Sequence, residues 1–152
     1  MMKPKLLISA CLCGKNTKYS GGNNLLSRFS EIEEKFELFL ICPEVMGGLP
    51  TPRDPSEQRG EYVFSNKGKD VTKEFNLGAQ KALEIALQND IHLALLKESS
   101  PSCGSNRIYD GTFSGIKISG QGVAAKLLEA HNIKIFSEEQ IDALLSIINE
   151  AN

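Results

Sequence analysis

With 152 residues, 41% of them apolar, the chain is long enough for a real hydrophobic core, and no composition shift or Pro/Ser-rich tract divides it, so one domain spanning 1–152 is expected. Its 17 basic and 19 acidic residues leave a net charge of -2, and no Lys/Arg run forms a phosphate-tracking stripe, which argues against nucleic acid as a general partner while leaving room for a small nucleobase. No apolar stretch approaches the roughly 20 residues of a spanning helix, so no membrane partner is expected.

The first element is the apolar run Leu6 to Ala10, read as a buried strand running into Cys11. Ile8-Ser9-Ala10-Cys11 has the form of a lipoprotein cleavage box, but its apolar core is shorter than the roughly 7–15 residues of a secretory h-region, and Pro4 interrupts the approach. The chain is therefore expected in the cytoplasm with its thiols reduced; four cysteines are in any case too few for a disulfide scaffold of this size. Leu25 to Phe36 follows as a weakly patterned helix, and Leu38 to Ile41 as a second strand that ends in Cys42. Gly47 to Phe64 carries Pro50, Pro52 and Pro55 with few apolar residues and reads as an irregular excursion, of the length common in binding loops and lids.

From Val71 to Gln88 the residues Phe75, Ala79, Ala82, Leu83 and Ala86 recur on one helical face, with Asp70 or Thr72 as the cap. A third strand, Ile91 to Leu96, leads to Cys103, and Asp110-Gly111 reads as a hairpin turn between Arg107 to Tyr109 and Thr112 to Ile118. Gln121 to His131 is a helix through Val123, Leu127 and Leu128, followed by the strand Ile133 to Phe136. In the last helix Ser137 caps, Gln140 closes a capping box, and Phe136 staples to Ile141 ahead of Leu144, Leu145 and Ile148.

Strands alternating with helices predict an α/β fold: a mostly parallel sheet with helices on both faces, a Rossmann-like three-layer sandwich. Ligands in such folds bind at the carboxyl ends of the strands, the edge at which Cys11, Cys42 and Cys103 fall. A lone cysteine there is a small buried hydrophobe. Three at equivalent strand ends are better read as soft ligands for zinc, copper(I) or an iron-sulfur cluster. Zinc knuckles need C-x2-4-C pairs, whereas Cys11-x-Cys13 is the sole close pair here. Widely spaced thiolates suit a cubane better, with three irons taking protein thiolates and the fourth free for substrate. Cys13 is read as a core side chain pointing to the opposite face from Cys11, with a spare thiol or half of a redox pair as the alternatives.

Glu44, two positions after Cys42, is either an exposed loop acid or a general base beside the metal. Ser100 and Ser102 flank Pro101; such serines satisfy turn backbone, and one hydroxyl aimed at substrate is the other reading. Gly120-Gln121-Gly122 is read as a helix start rather than an anion cradle, because it lacks G-x-G-x-x-G. His92 and His131 are read as structural.

The motifs Ser9-Ala10-Cys11-Leu12-x-Gly14, Cys42-Pro43-Glu44-Val45-x-Gly47-Gly48-Leu49-Pro50-Thr51-Pro52-Arg53, Lys97-Glu98-x-Ser100-Pro101-Ser102-Cys103-Gly104 and Ile108-Tyr109-Asp110-Gly111-Thr112-Phe113, in this order from Leu6 to Glu139, resemble the thiouracil desulfurase family. That resemblance implies a 4Fe-4S cluster on Cys11, Cys42 and Cys103 with one open iron, and catalytic roles for Glu44 and Ser100. It further implies a small thiolated substrate whose C=S becomes C=O with release of hydrogen sulfide and no net electron transfer. Relatives often carry cysteine and aspartate where this chain has Thr17 and Ser20, and usually leucine in place of Cys13; these departures leave the ligand trio intact and bear on the substrate pocket. Two other readings stay open at this point. One is a non-catalytic iron-sulfur or zinc protein that senses redox state or metal supply, which would need no adjacent carboxylate and serine. The other is redox catalysis by Cys11-x-Cys13. The exact substrate, its binding residues and the oligomeric state are not legible in the sequence.

Overall fold

The computed structural model describes the backbone of residues 3–151 and the side chains of residues 3–147. In chain order the elements are β1 (Lys5–Ser9), a 3-10 turn (Ala10–Cys13), α1 (Phe29–Lys35), β2 (Glu37–Ile41), α2 (Pro43–Met46), β3 (Ser56–Arg59), β4 (Tyr62–Ser65) and α3 (Thr72–Gln88). There follow β5 (Leu93–Leu96), β6 (Arg107–Tyr109), β7 (Lys117–Ser119), α4 (Val123–Ala130), β8 (Lys134–Ser137), a second 3-10 turn (Glu138–Gln140) and α5 (Ile141–Ala151).

The central sheet has the order β2-β1-β5-β8, and every neighbouring pair in it is parallel. Its register sets Ser9 against Ile41, Ile8 against Leu95 and Leu96 against Ser137, which brings the carboxyl ends of all four strands to one edge. The strands read as continuous apolar runs because both faces are covered, yet the period of two still sorts the side chains. Leu7, Ala94 and Leu96 point into a layer with Ala82, Leu83 and Ala86 of α3 and Ala125 and Leu128 of α4. Leu6, Ile8, Leu95 and Phe136 point the other way, onto Ile32 of α1 and Ile141 and Leu144 of α5. The predicted α/β architecture with a mostly parallel sheet is therefore the observed one.

All five apolar residues predicted for the long helix are buried in α3. Its start is held by Asp70, whose Oδ1 accepts from the Thr72 N–H at 2.9 Å. The Ser137–Gln140 capping box is complete, and Phe136 and Ile141 share the second core layer as the staple requires; the side chain of Ile148 lies outside the described residues.

Two readings need correction. The segment 47–64 is not wholly irregular: β3 and β4 pair antiparallel from Ser56↔Ser65 to Arg59↔Tyr62. The alternation was hidden because β3 turns a polar side chain to loop backbone on each of its faces. Glu57 accepts from the N–H of Gly111 at 3.0 Å and of Phe113 at 3.2 Å, and Gln58 donates to the carbonyls of Pro101 and Gln121. The second hairpin exists, but Asp110-Gly111 does not close it tightly. β7 begins only at Lys117, because the Glu57 carboxylate holds the intervening loop open.

Candidate active site

Each of the three strand-end cysteines reaches the edge by a different local route. Cys11 sits in the 3-10 turn directly after β1, which ends at Gly14 with φ 84°, a left-handed conformation that favours glycine. Cys42 is the extended residue between β2 and α2, with Pro43 opening the helix. Cys103 lies in the loop after β5 and is 4% exposed. All three line a single cavity of about 580 Å³, together with Thr17, Asn24, Glu44, Arg53, Ser100 and Ser102.

Close backbone contacts fix this edge. A Cβ on Gly78 of α3 would lie 1.7 Å from the Pro43 carbonyl oxygen, and one on Gly47 would lie 1.9 Å from that of Glu74, so only glycine lets α2 settle on α3. Gly122, at the start of α4, does the same for the Ser102–Cys103 loop, where a Cβ would meet Ser102 C at 2.4 Å. Below that loop Glu98, 3% exposed, accepts the N–H groups of Ser99, Ser105, Asn106 and Arg107 at 3.0–3.1 Å and the Ser105 hydroxyl at 2.9 Å. Burial alone would raise its carboxyl, but these donors outweigh burial and hold it down at about 2.

The sulfurs are already addressed by polar groups. Asn24 Nδ2 donates to Cys11 Sγ at 3.4 Å, the Cys42 thiol points to the Thr17 carbonyl at 3.8 Å, and Ser102 Oγ is 3.6 Å from Cys103 Sγ. Burial raises the Cys11 thiol against the Asn24 hydrogen bond and pushes Cys103 up to about 12, with the neighbouring cysteines adding to both. The thiols are thus near enough to feel one another's charge, and a bound cation is what would strip their protons.

Among the described residues no three His, Cys, Asp or Glu side chains stand close enough to share one metal ion. A structural zinc centre, which closes its ligands around a single ion, therefore does not suit the trio. A polynuclear cluster is gripped at separate irons and asks for wider spacing, and the soft, converging thiols in a cavity of this size fit it.

Glu44 is no exposed loop acid. Its Oε1 accepts from Arg53 Nε at 3.1 Å in a pair whose side chains are 13% and 6% exposed, and its Oε2 accepts from Ser102 Oγ at 3.0 Å. Ser100 does satisfy turn backbone, accepting from the N–H of Ser102 at 3.2 Å and of Cys103 at 3.1 Å, while its hydroxyl faces Ser102 Oγ at 3.0 Å. Cys13 is outside the cavity lining: it packs on the second core layer, its thiol points to the Ser9 carbonyl at 3.9 Å, and burial pushes it up to about 11. The amides of Gly120 and Gly122 are spent on Asn106 and Gly104, which leaves no anion cradle there. His92 pairs with Asp90 and His131 with the Leu127 carbonyl, both at exposed positions.

Sequence reasoning gave no role to Arg53, Asn24 or Glu98. Arg53 and Glu98 stand inside the quoted motifs, and that is the one signal that could have singled them out.

The model of the 2-thiouracil desulfurase family matches residues 6–140. A Bacillus subtilis (strain 168) protein, described as uncharacterized protein YbbK, is 37% identical and aligns over 92% of this chain and 99% of its own length. Among solved structures, that of the 4Fe-4S-dependent thiouracil desulfidase TudS superimposes with a TM-score of 0.90 at 44% identity, covering 97% of this chain and 99% of that one. The resemblance carried by the motifs thus extends over nearly the whole length and the whole fold, and the chain belongs to the 2-thiouracil desulfurase family.

Proposed function

We propose that this single-domain chain desulfurates thiouracil or a related small thiolated compound, replacing C=S by C=O and releasing hydrogen sulfide, with a 4Fe-4S cluster on Cys11, Cys42 and Cys103 that keeps one iron open. The observation that carries the reading is the convergence of these thiols with Glu44 and Ser100 on one cavity. Family membership and the 4Fe-4S dependence of TudS support the cofactor. The cluster, when bound, supplies a soft Lewis acid for the thiocarbonyl sulfur, which leaves the adjacent carbon open to water.

The protein's own residues do the rest. Glu44 takes a proton from the attacking water as the carbon–oxygen bond forms, and Arg53 holds the carboxylate turned into the cavity. Ser100 donates to the ring nitrogen as negative charge develops there, the role of an oxyanion-type donor. Asn24 and Ser102 keep Cys11 and Cys103 pointing inward. About 580 Å³ leaves room for a cluster and a single small ring. The reading places the enzyme in a reducing cytoplasm, in keeping with four free thiols.

Mixing anaerobically reconstituted protein with 2-thiouracil tests it. Equimolar sulfide and uracil are expected; an intact cluster that releases neither turns the reading over in favour of a sensor.

A further inference from the structure

Two aromatic side chains, Tyr109 and Phe113, line the cavity that holds the three thiols, and both come from the β6–β7 hairpin and its loop rather than from the central sheet. Tyr109 already has a partner, the Lys117 ammonium 5.4 Å from its ring centroid. Among the described residues no cation and no second ring lies over Phe113, and it belongs to none of the buried clusters of the core. Its backbone is also unusual: φ is 57°, a left-handed conformation that a bulky residue keeps only when its surroundings impose it. The imposing group is the buried Glu57, whose Oε1 accepts from the N–H of Phe113 at 3.2 Å and of Gly111 at 3.0 Å.

The rest of β3 completes the clamp. Arg59 Nε donates to the Gly111 carbonyl at 2.8 Å, and within the loop Asp110 Oδ1 accepts from Thr112 N–H at 2.9 Å. A Cβ on Gly111 would lie 2.6 Å from Arg59 Cγ and 2.7 Å from the Gln58 carbonyl oxygen, so glycine is what lets the loop lie on the strand. From the opposite face of β3, Gln58 Nε2 donates to the Pro101 carbonyl at 2.8 Å, two residues before Cys103. One short strand thereby fixes the aromatic wall against the loop that carries a proposed cluster ligand.

We propose that Phe113 is the platform on which the substrate's planar ring stacks, and that Glu57 is the positioning residue that holds it there. The inference rests on the desulfuration reading and narrows it: the substrate class is a flat, conjugated heterocycle, and a puckered ring with the same polar outline is disfavoured. A flat π-face gains from an aromatic platform by offset stacking, whatever the position of the thiocarbonyl on the ring. The contact is the same before and during reaction, so it acts on KM rather than on kcat.

The test uses the reconstituted full chain, with variants compared at equal iron content. Phe113→Leu should raise KM for 2-thiouracil about tenfold with kcat unchanged. In equilibrium dialysis it should weaken the binding of uracil and leave that of the puckered 5,6-dihydrouracil unchanged. Glu57→Gln, whose amide oxygen still accepts both N–H groups, should keep the parental KM, and Glu57→Ala should reproduce the effect of Phe113→Leu. In the double variant the two effects should not add, because one residue acts through the other. Additive effects overturn the role of Glu57; equal loss of both dialysed rings, or no loss, in Phe113→Leu overturns the platform. Should Glu57→Ala not fold, Glu57→Asp, one methylene short of the loop, replaces it in the cycle. If fully loaded parent releases no sulfide from 2-thiouracil, the desulfuration reading fails by itself. Dialysis then still decides: the platform stands if the parent binds uracil more tightly than Phe113→Leu does, and falls otherwise.

Discussion

Glu44 is held from both sides, by the Arg53 guanidinium on one oxygen and the Ser102 hydroxyl on the other, so neither hydrogen bond that aims it comes from a cysteine. Glu44→Ala is therefore expected to bind iron and sulfide like the parent while losing at least about 100-fold in turnover, as iron analysis beside a sulfide-release assay would show. The thiols divide the other way. Serine at Cys11, Cys42 or Cys103 should each leave reconstituted protein short of iron, whereas Cys13→Ser, outside the cavity, should keep its full complement and near-parental rates.

Glu98 is a residue whose charge holds the scaffold, through the backbone N–H groups it accepts. Its carboxyl lies at about 2 in the folded chain against an ordinary value near 4.3, so its stabilisation is complete above the ordinary value and lost as pH falls toward 2. Glu98→Gln should cost about 2–3 kcal/mol at neutral pH through unsatisfied N–H groups. The gap from the parent should narrow between about pH 4.5 and pH 2 in denaturant titrations followed by circular dichroism.

Among the elements, what the sequence made legible was whatever apolar periodicity records. The four parallel strands, α3 and the capped α5 were readable because burial on one or both faces selects their apolar residues. β3 was not, because Glu57 and Gln58, on opposite faces of the strand, are polar groups satisfied by loop backbone, and no hydropathy pattern marks that use. The site divided similarly. The cysteine trio was visible from its position after strands. Arg53 meets Glu44 only through the fold of the 47–55 segment, and a serine that bridges two side chains looks, in sequence, like one that merely completes a turn. The α2–α3 crossing is the contact most sensitive to a single methyl group, since a Cβ on Gly78 would lie 1.7 Å from the Pro43 carbonyl oxygen. Gly78→Ala, itself outside the cavity lining, should cost about 1–3 kcal/mol and lower iron occupancy by displacing Cys42 and Glu44. Thermal melts and iron analysis of one preparation would show both effects.

For the whole molecule, the three proposed ligands lie at the ends of neighbouring strands, β2 and β1, and in the loop after β5, so a cluster bound there would tie the centre of the sheet together. Because the folded state alone assembles that trio, cluster binding by it would stabilise the fold by mass action. Reconstituted protein should melt above the cluster-free chain, each kcal/mol of this linkage raising the midpoint by about 2–4 °C in a chain of this size. Air or chelator should abolish the increment and sulfide release together.

The interleaved order of the sheet also bears on biosynthesis. β1 and β2 are made early, but their partner β5 emerges only after α3, and Cys103 later still. Until Cys103 has been made, a nascent chain offers two of the three proposed grips, and on that reading a translation product that stops short of it would hold delivered iron less firmly than the whole chain. On the proposed ligand set, metallation would wait for the sheet to assemble, and iron content would report successful folding.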